Sequence, residues 1–243
     1  MKIVFSRKGF DSAAGGGPSP IVDDRPVSLP IPSTGASGTT WDDLGLGELV
    51  AQASRGRHAG SGDCHHDPMF LTGGTCLFGQ CGAAQTHLAN RGVGVGDTFV
   101  FFGLFRDGRA PPHHRIFGYL AVEEVLVVAD LPDARREALV RQRHPHAIAP
   151  QAANDTIYAG RGRTAVCASP ALRLTAHGEK PSTWRRPDWL KPGELSYHDD
   201  PARWLSGGRL RAASRGQEFV TDVGRRAPPR RWLEQVIETI ERG

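Results

Sequence analysis

TFVFFGLF at 98–105 and RIFGYLAVEEVLVV at 115–128 decide the fold. The first run is apolar or aromatic at nearly every position. That predicts a strand buried on both faces, because a strand with one wet face alternates polar and apolar residues. A turn rich in proline and histidine, 111–114, leads into the second run, so the pair reads as a hairpin at the heart of an antiparallel sheet. Gly103 and Gly118 interrupt the two strands and mark bulges or points of close approach.

Working upstream, QCGAAQTHLANR at 80–91 is rich in small residues, with Ala83, Ala84, His87 and Leu88 at helical spacing, and it stops at Gly92. It predicts a helix packed closely on something. Before it lie a turn-rich bridge, 73–79, and a polar knot, Asp63-Cys64-His65-His66-Asp67-Pro68. WDDLGLGELVAQ at 41–52 predicts a short helix, 33–40 a loop, and the proline-broken 21–32 extended segments. Lys2 to Phe5 is a short apolar strand that ends in Ser6, Arg7, Lys8 and Asp11, followed by Gly15, Gly16 and Gly17. Glycines let backbone N–H groups approach an anion, and an arginine grips phosphate with two hydrogen bonds. The alternative for that stretch is a tight, solvated loop.

Downstream, PDARREALVRQR at 132–143 predicts a charged surface helix ending in His144-Pro145-His146. NDTIYAG at 154–160 predicts a strand, as do 164–169, 172–175 and 216–223. The 181–204 stretch holds Trp184, Trp189 and Trp204 among four prolines and predicts an irregular segment glued down by its rings. WLEQVIETIE at 232–241 predicts a closing amphipathic helix with Trp232, Val236, Ile237 and Ile240 on its stripe.

The whole chain sets the bounds. Its 243 residues suffice for a proper core. Apolar residues at 39% and charged residues at 23% describe an ordinary soluble globular protein, with no transmembrane helix and no signal peptide, so a cytoplasmic location is expected. Thirty glycines and eighteen prolines predict many turns and short strands. In that compartment the four cysteines, Cys64, Cys76, Cys81 and Cys167, are expected as thiols. A formal charge of +4 permits a polyanionic partner.

Five clusters carry reactive side chains. The first is the opening group, Ser6, Arg7, Lys8 and Asp11. In the second, His65 beside Asp67 has the makings of a general base with its orienting carboxylate, or of a turn cap. With Cys64, Cys76 and Cys81 these are metal-ligand residue types, but only Cys76 and Cys81 sit near a zinc-site spacing. A zinc-stabilised scaffold is a third possibility beside buried thiols, and no metal ligands are assigned. The third holds Gln80 and Gln85, amides able to read a base edge. His144, His146, Asn154, Asp155 and Tyr158 make the fourth. The fifth is Tyr197 and His198, with Gln217 and Glu218 on opposite faces of one strand, so that only one of the two faces a cleft. Around these run Arg203, Arg209, Arg211, Arg215, Arg225, Arg226, Arg230 and Arg231, a belt suited to a phosphate backbone or simply a solvated basic face. Walker A, G-x-G-x-x-G, G-x-S-x-G and zinc-deaminase motifs are all missing.

Two resemblances add to this. GDTFVFFGLF at 96–105 with FGYL at 117–120 resembles the small β-barrels of the pseudouridine-synthase-and-archaeosine-transglycosylase type, which implies a barrel that holds nucleic acid or a modified base. A longer set spans the chain: FSRKGFDSAAGGGPSPI at 5–21, SLPIP at 28–32, HHDP at 65–68 and FGQCGAAQTHL at 78–88. It continues with GDTFVFFGLF at 96–105, HRIFGYL at 114–120, HPH at 144–146, NDTIYAG at 154–160, LSYH at 195–198 and RGQEFV at 215–220. In that order the blocks resemble the nucleotide modification associated domain family of the third type. The resemblance implies a nucleotide or nucleic-acid context in bacteria or their viruses. It supplies no reaction and no cofactor.

The expectation is one α+β domain over 1–243: a curved, mostly antiparallel sheet, or a partly open β-barrel, with a few short helices around it. The expected function is modification of a nucleotide or of a base in nucleic acid, and the alternative is a module that binds a modified base without chemistry. Asp11, His65, Asp67 and Asp155 are the candidate catalytic residues. Ser6, Arg7, Lys8, Gln85, His146, Asn154, Tyr158, Tyr197, His198 and Gln217 are the candidate binding residues.

Overall fold

Thr98–Asp107 and His113–Val127 form the central hairpin in the computed structural model, which describes residues 1–35 and 37–243. Its first strand is apolar throughout because both faces are covered. Phe99 and Phe101 belong to one buried cluster, Val100 and Phe102 to another. The pairing register slips between Phe101 and Phe102, opposite Gly118 and Ile116. A Cβ on Gly118 would lie 2.8 Å from the Phe70 ring, and one on Gly103 would lie 2.6 Å from the Lys8 carbonyl, so both glycines mark close approaches.

Seven strands lie in the order Glu218–Asp222, Lys2–Arg7, Thr98–Asp107, His113–Val127, Thr156–Thr164, Thr75–Gln80, Met69–Leu71. Ser19–Val22 and Arg25–Pro26 bring the sheet to nine strands. Only two pairings are parallel, those of Lys2–Arg7 and Ser19–Val22 with Thr98–Asp107. The sheet is therefore mixed but mostly antiparallel. It curves strongly, and the strands at its two ends do not pair, so it is an open sheet and not a closed barrel. On the inner face Val4, Phe78, Phe99, Phe101, Tyr158 and Val220 make one core. On the outer face Ile3, Phe5, Phe102, Trp184 and Phe219 pack under Leu233, Val236 and Ile240 of the helix Ala227–Arg242.

The other helices are Gly47–Ser54, Gly82–Asn90, Asp133–Arg141 and Pro145–Ile148. The first begins six residues later than its apolar spacing predicts. Asp43 and Thr40 cap each other's backbone N–H, at 2.9 and 3.1 Å, and Gly45 turns left-handed, so 41–45 is a turn. In Gly82–Asn90 the buried positions are Gln85 and Leu88, while Ala83 is exposed. Strands expected over 164–169 and 172–175 do not form. After Thr164 the chain leaves the sheet, and Pro170 opens a short 3-10 turn. The tryptophan-rich stretch is less irregular than expected, since Thr183–Arg185 joins Arg209–Arg211 and Trp204–Leu205 in a three-stranded sheet. The 33–40 loop includes residue 36, outside the described residues. The four cysteines are free, with Cys64 and Cys76 buried. Among the described residues no helix is long and apolar enough to cross a membrane.

Candidate active site

The seam where the sheet fails to close is where polar side chains gather. Gln80 ends one strand and Glu218 begins another, five places away across the sheet. Curvature brings them together, and Gln80 Nε2 donates to Glu218 Oε1 at 2.9 Å. Lys8 Nζ donates to the same oxygen at 2.8 Å and lies 4.3 Å from the centre of the Phe78 ring. Glu218 is buried, and its second oxygen, Oε2, has no partner. Ser6 Oγ, on the residue paired with Glu218, also has none. A buried carboxylate oxygen without a donor is costly, so it marks a place where something else supplies one.

Beside this group is a cavity of about 670 Å³, lined by Gln80, Cys81, His87, Tyr197, Arg215, Gln217 and Glu218 among others. Cys81 sits at the N-cap position of Gly82–Asn90. Burial pushes its thiol up, and Asp155 and Asp67 add to that while Lys8 opposes it. His87 packs against Tyr197 with ring centres 4.6 Å apart and ring planes tilted by 39°, and its Nε2 is 3.1 Å from Ser196 Oγ. Burial, then the charge of Arg91, holds His87 below the usual histidine range. Tyr197 has φ 65°, a left-handed conformation that costs a bulky residue free energy and is kept where the surroundings impose it.

Cys81 also faces a second group. His146 Nδ1 is hydrogen-bonded to Asp155 Oδ1, and Asp155 Oδ2 accepts from the N–H groups of Gln151 and Ala152 at 2.7 and 2.6 Å. On the other side of the ring, His146 Nε2 lies 3.5 Å from Asp67 Oδ2, and His65 Nε2 lies 3.7 Å from that same oxygen. Gly79 N–H donates to both Asp67 oxygens, at 3.0 and 3.1 Å. Gly79 has to be glycine, because a Cβ there would sit 2.1 Å from the His146 ring. Burial works against the charge on Asp67, but the facing His146 and His65 rings outweigh it and hold the carboxyl far below its usual range. Burial likewise opposes a charged His146, and Asp67 and Asp155 overcome it, raising the ring. His144 packs against His146, is fully buried, and has no partner on either ring nitrogen; burial pulls it down to about 4.

The structure therefore brings His65, Asp67, His146 and Asp155 into one cluster. Tyr197 and Gln217 line the adjoining cavity, and so does Glu218, because Gln217 lies before the strand and both neighbours face the cleft. Lys8 meets the cavity only through Glu218. Gln85 and Tyr158 bond each other at 3.1 Å in the interior. Asn154 is a tether: it accepts from Gly82 N–H at 2.8 Å and donates to the Gly82 carbonyl at 2.9 Å, fixing the start of the helix. Asp11 Oδ1 takes the N–H groups of Ala13 and Ala14, both at 2.7 Å, within its own loop. Arg7 gives its terminal nitrogens to the carbonyls of Ala213 and Ser214 and packs on Phe219 and Phe102. His198 is buried, its Nδ1 bonded to the Ser196 carbonyl at 2.8 Å and its Nε2 accepting from Ala213 N–H at 3.0 Å. The cavity also uses Gln80, Cys81, His87, Arg215 and Glu218. The sequence reading named Gln80, Cys81, Arg215 and Glu218 in its clusters but carried none of the five into the candidate site. Gln80 and Cys81 stand at a strand-to-helix turn, and that position was the available signal.

A family model for nucleotide modification associated domain 3 matches residues 2–222. The chain belongs to that family. The match takes in every residue of the cavity and of the acid–histidine cluster and stops before the helix Ala227–Arg242. The family's description points to a role in nucleotide modification. No curated protein and no solved structure matches the chain.

Proposed function

We propose that the protein modifies a nucleotide, or a base in nucleic acid, held in the cavity at the open seam of the sheet. The observation that carries this reading is Glu218, a buried carboxylate shared by Lys8 and Gln80 on the cavity wall, with one oxygen left without a donor. A nucleobase offers ring N–H and amino groups on its edge, and a carboxylate next to an amide matches such an edge. Tyr197, backed by His87, supplies the stacking face. Lys8 and Arg215 give positive charge for a phosphate. Asp11 drops out of the catalytic role and Arg7 out of the binding role, each committed to its own neighbours, while Gln217 stays a binding residue. Proton transfer falls to Glu218 in the cavity and to the His65–Asp67–His146–Asp155 cluster behind Cys81.

Equilibrium binding of nucleoside monophosphates and a short oligonucleotide tests this, with Tyr197→Ala and Gln217→Ala as the variants. At least one of these compounds is expected to bind, and loss of the Tyr197 ring should weaken it by roughly tenfold, the scale of one base–aromatic stack. No binding at millimolar concentration, or binding unchanged in both variants, contradicts the proposal. Mass spectrometry of the bound compound separates an enzyme from a module that only reads the base: the first changes the mass, the second does not.

A further inference from the structure

His65, Asp67 and His146 converge in a way that hydrogen bonding alone does not account for. Both imidazole Nε2 atoms address one carboxylate oxygen, Asp67 Oδ2, from 3.7 and 3.5 Å. These separations are too long for hydrogen bonds. Donors around a tetrahedral ion with bonds of about 2.1 Å stand about 3.4 Å apart, only a few tenths of an ångström closer. The three donor atoms all lie within 4.8 Å of one another.

The surroundings are those of a ligand set. His146 Nδ1 is committed to Asp155, which is itself held by two backbone N–H groups, so the lone pair left on His146 is Nε2. A carboxylate behind a histidine is the arrangement that fixes the tautomer and orientation of a metal-bound imidazole. Asp67 is anchored from behind by Gly79 N–H. A second and independent observation is His144: fully buried, its ring against His146, both nitrogens without a partner.

We propose that His65 Nε2, His146 Nε2 and Asp67 Oδ2 bind one divalent transition-metal ion, with Asp155 orienting His146. Two imidazoles and a carboxylate suit zinc, iron(II), cobalt or manganese rather than calcium or magnesium. Three protein donors leave coordination positions open, as in a site that does chemistry. Cys81, near His146 and Asp155, borders this centre and also lines the cavity. The inference does not rest on nucleotide binding, since the metal is measured with no nucleotide present.

Cobalt(II) and zinc(II) are the probes. The full chain is purified, stripped with a chelator and titrated with Co²⁺, and the visible absorption and the metal-to-protein ratio are read. The site predicts one equivalent of Co²⁺ with a tetrahedral or five-coordinate spectrum, displaced by Zn²⁺, and a higher unfolding temperature with metal than without. His65 is the most exposed of the three, its side chain 17% accessible, so His65→Gln leaves the fold in place while removing one ligand. It should lose the spectrum and the thermal shift. Asp155→Asn should weaken binding about 10- to 100-fold. His177→Ala, at an exposed position, should change nothing. Absence of a stoichiometric Co²⁺ complex at millimolar metal overturns the proposal and leaves an imidazolium held between two carboxylates. So does a spectrum that survives unaltered in His65→Gln.

Discussion

His198 and His144 are both fully buried, and they stand in opposite condition. The His198 ring is hydrogen-bonded at both nitrogens, to the Ser196 carbonyl and from Ala213 N–H, and it packs edge-on against Phe219. The His144 ring is bonded at neither, and it lies next to a histidine flanked by two carboxylates. The same contrast divides the larger regions. Around His198 the chain uses polar groups to pin one loop to another, and Arg7 does likewise with the carbonyls of Ala213 and Ser214. Around the seam, Glu218 Oε2, Ser6 Oγ and both His144 nitrogens remain without partners. Arg7 Nε, Arg115 Nε and Trp189 Nε1 also lack partners elsewhere in the fold, so what sets the seam apart is that its unpaired atoms include a carboxylate oxygen beside a cavity.

Substitutions at the two histidines give the sharpest break. His198→Leu strands a buried carbonyl and a buried N–H, and should cost about 2–4 kcal/mol in urea unfolding. His144→Leu strands nothing and keeps a similar volume, so its change should stay within about 1 kcal/mol. Equal losses at both would erase the distinction. Gly79→Ala comes next. Its Cβ would press on the His146 ring, so about 1–3 kcal/mol of stability should go, together with cobalt binding.

Over a single pH unit a smaller effect is expected on the scaffold side. His114 Nδ1 accepts from Trp184 Nε1–H at 2.9 Å, so the folded protein needs the neutral ring. Burial, then the charges of Arg7 and His113, lowers it to about 3 from an unfolded value of 6.5. Between those values the unfolded chain binds a proton that the folded chain does not. Stability should therefore fall with acid across that window, by up to about 1.4 kcal/mol per pH unit from this group. His114→Gln keeps an acceptor for Trp184 and removes the titration, so its urea midpoint should fall less steeply; an unchanged slope would assign the effect elsewhere. Smallest of all is Arg226→Ala. Arg226 pairs with Glu194 on the surface, and its loss should cost less than about 1 kcal/mol and leave nucleotide affinity alone, in contrast to Arg215→Ala at the cavity wall.

The sequence carried the frame well. Largely apolar runs at 98–105 and 115–128 place the hairpin, and an amphipathic stripe over 232–240 places the C-terminal helix face. It also gathered His65, Asp67, His146 and Asp155 as reactive, because His-His-Asp-Pro, His-Pro-His and Asn-Asp are concentrated polar blocks. It also put Arg7, Asp11 and His198 in the site. In the fold Arg7 donates to the carbonyls of Ala213 and Ser214, Asp11 accepts from its own loop and His198 bonds Ser196 and Ala213, contacts that no local pattern encodes. Glu218 escaped for a related reason. Its meeting with Lys8 and Gln80 depends on how far a nine-stranded sheet curls, a sum of small twists and bulges that no local pattern encodes.

The most direct measurement is a crystal structure of the protein soaked with a nucleoside monophosphate. The base should lie against Tyr197, its edge within hydrogen-bond reach of Gln80 and Glu218 and its phosphate toward Lys8 or Arg215. A nucleotide seated instead at the Arg7–Asp11 loop or along the C-terminal arginines, or a seam still empty at saturating concentration, would contradict the account.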